Sequence, residues 1–243
     1  VSGRTTRLAG RARKLLPEFP GPLDTAVFVF PLFLIYQVGI VSGVRNGADV
    51  VTTLLMKFFE YDLGKYLLLF AVLLLGYVGL LVLLRRSGRF HPRSFLPLLV
   101  ESGIYAVCMG SIILFVLRNV LWFVPGLALD SVPDRGPLEI LVISAGAGLH
   151  EEFLFRVGLM GGLAFLLEQR MRRRAAWTLA LVVSSLVFSG VHHLGPLGES
   201  FSSVAFAYRT LAGACFGVIY VLRGFAVAAW THCLYDLYVL TLS

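Results

Sequence analysis

The stretch Gly148-Leu149-His150-Glu151-Glu152-Phe153-Leu154-Phe155-Arg156 puts three ionisable groups and a histidine within seven residues. Largely apolar segments flank it, Leu138 to Ile143 before and Leu159 to Leu167 after. A charged side chain at bilayer depth costs about 2.5 kcal/mol or more, so such residues are rare and are retained for function. The cluster therefore needs a reason, and the flanking sequence says what kind of molecule surrounds it.

Of 243 residues, 58% are hydrophobic and 14% charged. A soluble domain carries nearer one quarter charged residues, so this composition reads as a polytopic membrane protein. Apolar windows near 23–44, 66–84, 97–124, 139–168, 175–193, 203–222 and 224–241 predict an all-α bundle of about seven transmembrane helices. Residues 45–65 mix charge with Val, Leu and Phe and suit an interfacial amphipathic helix. This divides the chain into a basic tail (1–22), N-terminal transmembrane helices (23–138) and a transmembrane core (139–243) that holds the opening polar cluster. Cys108, Cys215 and Cys233 all fall in apolar segments without metal-type spacing, and read as small buried hydrophobes.

Positive charge is distributed unevenly. Fourteen of the 21 Lys and Arg residues occupy alternate links: Arg4, Arg7, Arg11, Arg13 and Lys14; Arg85, Arg86, Arg89 and Arg93; Arg170, Arg172, Arg173 and Arg174; and Arg223. This bias predicts a cytoplasmic N-terminus and an outside C-terminus in an integral membrane protein, and the composition suits a bacterial inner membrane. The basic tail joins a membrane helix, so it is a topology signal and no nucleic-acid partner is expected. The first apolar stretch lacks a small-residue cleavage pattern and is read as a retained span.

Three apolar spans carry polar pairs at one-turn spacing. They are Glu152 with Arg156, Phe188 with His192, and His232 with Asp236. Glu152 precedes Arg170 by about five helical turns, and His192 follows Arg174 by the same length of chain. At about 1.5 Å per residue, both sit roughly 27 Å from the basic links and can meet in the outer half of the bilayer. His232 follows Arg223 by only half that length, which places it lower unless span seven begins deeper, the helices tilt or the span boundary lies elsewhere. A carboxylate and an imidazole in a dry pocket can activate a water. Glu152 has Arg156 as its partner and is expected to be structural. Glu151 points about 100° away and is the candidate base, with His192 orienting the water and His232 donating to an oxyanion. Asp236 can donate only if neutral, and otherwise orients His232. Arg118 and Arg209 lie within spans and need partners, for which Glu101 is a candidate.

These three elements resemble the motifs of the CAAX-processing endopeptidase and bacteriocin-processing family of intramembrane proteases. Glu151-Glu152-Phe-Leu-Phe-Arg156 matches Glu-Glu-x-x-x-Arg. Phe188-Ser-Gly-Val-His192 matches Phe-x-x-x-His, and His232-Cys-Leu-Tyr-Asp236 matches His-x-x-x-Asn or Asp. The match covers roughly 139–241. The resemblance implies hydrolysis of a peptide bond near the C-terminus or membrane segment of a protein substrate. It implies catalysis by Glu151 and His192, oxyanion stabilisation by His232 and the residue at 236, and support from Glu152, Arg156 and Phe188. Asp236 is the main departure, since prenyl-protein processing members have Asn there. The family has been discussed both as metalloproteases and as metal-independent glutamate proteases. No cofactor is expected, although Glu151, His192 and His232 are the set that zinc would take. His150 points away from Glu151 and would not chelate the same ion well, and His193 is expected at the interface. The implied partners are a protein or peptide substrate with a membrane-embedded or C-terminal segment and the lipid bilayer. Eukaryotic relatives trim prenylated C-termini on the cytoplasmic side, whereas the depth estimate here favours delivery from outside or from within the bilayer. Two other classes compete on the same residues. Intramembrane carboxylates and histidines also mark ion-coupled transporters, against which no repeated halves are visible. A non-catalytic scaffold or immunity protein could keep such a pocket for binding.

Overall fold

The computed structural model describes residues 20–42, 57–58, 62–121, 136–194 and 200–242. The tail up to residue 19, most of the interfacial segment near 45–65, and Arg135 lie outside the described residues. The chain is all-helical, with no strand among the described residues. Its elements are α1 (Pro22–Val41), α2 (Leu63–Ser87), a 3-10 turn (Pro92–Ser94), α3 (Phe95–Asn119), α4 (Pro137–Gly146), α5 (Gly162–Glu168), α6 (Arg173–Val191), α7 (Ser203–Arg223) and α8 (Phe225–Leu242). Wide π-helical turns, Ala147–Glu151 and Phe153–Gly161, join α4 to α5 and make one long rod of span four. Five stretches are long and apolar enough to cross a membrane: Pro22–Val41, Leu63–Arg86, Pro92–Asn119, Arg173–Val191 and Ser203–Arg223. The remaining two predicted spans are the α4–α5 rod and α8, which carry two of the three polar motifs.

Local chemistry sets the helix starts. Pro22 and Pro137 occupy first-turn positions after Gly21 and Gly136, where the missing N–H is no loss. The Asp62 carboxylate accepts from Lys65 N–H at 3.1 Å and the Ser202 hydroxyl accepts from Ala205 N–H at 3.4 Å, each capping a helix. Gly224, at φ 85°, takes a left-handed conformation and turns α7 directly into α8.

Helix α8 is the centre of the bundle and packs against α1, α3, α4 and α7. Small residues allow this crowding. Ala226, Ala228 and Ala229 are buried, and Gly148 lies against them: a Cβ there would stand 2.5 Å from the Ala229 carbonyl oxygen and 2.9 Å from the Cys233 nitrogen. Close helix approach through small residues is the usual packing device in lipid, where no hydrophobic force drives helices together. Here it brings the Glu151–Glu152 turn beside His232.

Helix α2 is peripheral and presents apolar side chains outward. Tyr77 donates to the Ala26 carbonyl and Tyr66 to Gln37, both at 2.6 Å, holding α2 to α1. At the basic end, Asp24 accepts from the His91 backbone N–H at 2.7 Å and lies 3.0 Å from its Nδ1. Arg223 is buried there and pairs with Glu101 of α3 at 2.5 and 3.0 Å, and Tyr105 also donates to Glu101. Two sequence expectations change as a result. Glu101 serves Arg223 and not Arg118 or Arg209. Arg223 does not mark the bundle surface: its partner lies two turns into α3, so α8 starts deeper than the charge count implied. That resolves the low placement of His232.

Candidate active site

Span four supplies the acids, α6 supplies His192, and α8 supplies His232 and Asp236. In a regular α-helix, consecutive side chains diverge by about 100°. The π-helical turns re-aim them, a device often found at functional sites. Both Glu151 and Glu152 therefore face His232. Glu152 Oε1 accepts from His232 Nδ1–H at 2.8 Å, and its other oxygen, Oε2, lies 3.1 Å from Arg156 Nε. Glu152 is thus more than the partner of Arg156 that the motif spacing implied: it also fixes the ring of His232.

Among the described residues Arg156 is the largest fully buried side chain, 1% exposed. Its terminal nitrogen donates to the Gly213 carbonyl at 3.2 Å, and its guanidinium lies 4.6 Å from the Phe188 ring centroid and 5.4 Å from that of Phe216. Phe216 then stacks on His232 at 4.2 Å. Gly213 permits this layer, since a Cβ there would press to 3.1 Å on Phe188 and 3.2 Å on Ser185. Ser184 donates to the Phe155 carbonyl at 2.8 Å and Ser189 to the Phe206 carbonyl at 2.7 Å, which ties α6 to span four and to α7.

His192 caps the end of α6, with its Nδ1–H donating to the Phe188 carbonyl at 2.8 Å. Phe188, predicted as supporting, thus contributes both a ring beside Arg156 and the carbonyl that orients His192. The other ring nitrogen, Nε2, lies 3.8 Å from Glu151 Oε2, and His232 Nε2 lies 3.9 Å from the same oxygen. Asp236 Oδ2 stands 3.6 Å from His232 Nε2. All four residues predicted as catalytic, Glu151, His192, His232 and Asp236, come together within 3.6–3.9 Å contacts, with Glu152, Arg156 and Phe188 behind them. His150 is not among them: its ring meets Tyr36 of α1 edge-on at 4.6 Å. His193 packs against Phe201 and Phe206, at 5.2 and 6.2 Å. Sequence reasoning missed Phe216 and the Gly213 carbonyl, because neither an aromatic nor a glycine on an apolar helix is distinguished by type or spacing.

Separations of 3.8 and 3.9 Å are too long for direct hydrogen bonds, and suit groups that share a third atom between them. A tetrahedral zinc ion with N and O ligands at about 2.0–2.1 Å would hold its ligand atoms roughly 3.3 Å apart. Among the described residues no group of three His, Cys, Asp or Glu side chains is arranged to hold a metal ion. The set Glu151, His192 and His232 does not fit zinc as it stands.

Residues 133–238 match the family model described as type II CAAX prenyl endopeptidase Rce1-like. This segment, a little under half of the chain, is similar to the Rce1-like family of CAAX proteases. It spans all three motifs and nearly the whole of the region 139–241 that carried the resemblance. Similarity to the Rce1-like family implies a protease acting on a protein or peptide, and together with the long apolar helices it points to an integral membrane protein. No curated protein and no solved structure matches this chain.

Proposed function

We propose that the protein is an intramembrane endopeptidase in which Glu151 and His192 activate the hydrolytic water. The observation that carries this reading is the Glu151 carboxylate held 3.8 and 3.9 Å from the outward nitrogens of two imidazoles. With Nδ1–H committed to the Phe188 carbonyl, His192 Nε2 is a lone pair facing the Glu151 carboxylate. Two acceptors facing one another bind a water that donates to both. Glu151 takes the water proton as the oxygen attacks the scissile carbonyl carbon. His232, in its doubly protonated form, gives Nε2–H to the oxyanion while Glu152 holds Nδ1. Glu151 then returns the proton to the leaving amine as the C–N bond breaks. Asp236 orients His232 in this scheme, and every step is carried by side chains of the chain itself.

The substrate we infer is a protein segment reaching the pocket from the bilayer or from outside, such as a C-terminal sorting helix, a lipoprotein-like tail or a peptide precursor. Comparing protein C-termini in cells carrying the wild type, Glu151→Ala or His192→Ala tests the activity. A set of termini should vanish in both variants at normal protein levels, and identical termini in all three strains would refute the reading.

The basic links argue for a cytoplasmic basic end, in a bacterial inner membrane, with the pocket toward the other side. Leu194, 70% exposed and two residues past His192, reports on this. In a cysteine-free background, Leu194→Cys should react with an impermeant maleimide added to intact cells. Reaction only in inside-out vesicles would reverse the orientation.

A further inference from the structure

Arg209 sits in the apolar helix α7, where a guanidinium is costly. Glu101, the acid that the sequence offered it, is taken by Arg223. Helices α7 and α8 run antiparallel from Gly224, with Arg209 upstream of that turn and Asp236 downstream. At about 1.5 Å per residue, the two lie at similar heights, roughly 22 and 18 Å along their helices from the turn. Their chain neighbours Tyr208 and Tyr235 touch through their hydroxyls, which clamps these turns together. Arg209 thus lies within electrostatic reach of both Asp236 and Tyr208.

The charges of the pocket give this pairing a purpose. Three carboxylates, Glu151, Glu152 and Asp236, surround His232. Arg156 matches Glu152. When ionised, Asp236 brings a negative charge that an asparagine would not. We propose that Arg209 is a positioning residue, the counter-charge that holds the Asp236 carboxylate in place beside His232. Arg209 acts through Asp236 and does not touch the reacting atoms. Through the Tyr208–Tyr235 clamp, α7 thereby sets the geometry of the oxyanion side of the pocket.

This assignment rests on the protease reading, and its test keeps the two apart. The readout is the initial rate at which Glu151-dependent C-termini form in cells. Arg209→Gln should lower that rate about tenfold or more in the wild-type background, and less than about threefold when added to Asp236→Asn, as coupled charges require. Arg209→Lys, which keeps the charge, should retain most of the rate. The pairing is overturned if Arg209→Gln costs the same factor in both backgrounds, costs nothing in the wild type, or is matched by Arg209→Lys. Should Arg209→Gln fail to accumulate, the double variant Arg209→Gln/Asp236→Asn decides. Its accumulation supports the pairing, and its failure overturns it. If Glu151→Ala removes no termini at all, the protease reading fails and this assignment falls with it. If Glu151→Ala removes them but the coupling is absent, only the role of Arg209 is lost.

Discussion

Replacing Arg156 with methionine is expected to destabilise the protein by about 3–5 kcal/mol, the cost of leaving a buried charge without its partner. For a chain of this length that lowers the melting midpoint by roughly 6–20 °C. Arg156 is 1% exposed and Glu152 0% exposed, so no solvent can replace the lost cation. The same change removes the donor to the Gly213 carbonyl and the charge over the Phe188 ring. Methionine fills similar space, which limits any contribution from a cavity. A second variant separates charge from packing. Arg156→Met/Glu152→Leu replaces the ion pair by apolar groups and should recover much of the midpoint. It should not recover proteolysis, because His232 Nδ1 loses the carboxylate that fixes its ring. The readout is thermal unfolding of purified protein in detergent. A midpoint within about 2 °C of wild type for Arg156→Met, less than the smallest shift such a loss allows, would mean that water reaches this pair and that the buried strut is misassigned.

The same residues show where sequence stopped being informative. Helix positions were readable because lipid leaves the backbone no alternative to internal hydrogen bonding, so apolar length alone locates a helix. The window 203–222 became Ser203–Arg223, and 175–193 became Arg173–Val191. Pairs at one-turn spacing were readable for the same reason: Glu152 and Arg156 meet within one helix. The second bond of Glu152 was not, because His232 lies 80 residues away and reaches it only through the close approach at Gly148. The wide turns at Ala147–Glu151 and Phe153–Gly161 were hidden as well, since no residue type demands them. Arg223 misled for a physical reason: the cationic end of a span ordinarily marks the surface, whereas a half-buried acid on α3 holds this one inside.

Glu151→Gln is expected to lower the cleavage rate by about 10²–10⁴-fold, the range associated with losing a positioned general base. The substitution keeps the size of the side chain and an acceptor oxygen, so it can still hold a water. It cannot take a proton from it. His192 alone then faces the water, with its second nitrogen already committed to the Phe188 carbonyl. Stability should be retained or raised, because a buried carboxylate in a catalytic pocket is itself a cost to the fold. Loss of rate together with a lower melting midpoint would instead mark Glu151 as a structural residue. Treatment with 1,10-phenanthroline distinguishes the two chemistries open to this family. The wild-type rate should be unchanged, since the Glu151 oxygen stands 3.8 and 3.9 Å from its two imidazole neighbours, wider than the roughly 3.3 Å between ligand atoms of tetrahedral zinc. A chelator-induced loss that added zinc restores would transfer the activation of water from Glu151 to a metal, leaving the carboxylate as ligand or proton shuttle. The isosteric variant and the chelator together therefore decide whether the wide spacing around Glu151 is the gap for a water or an open form of a metal site.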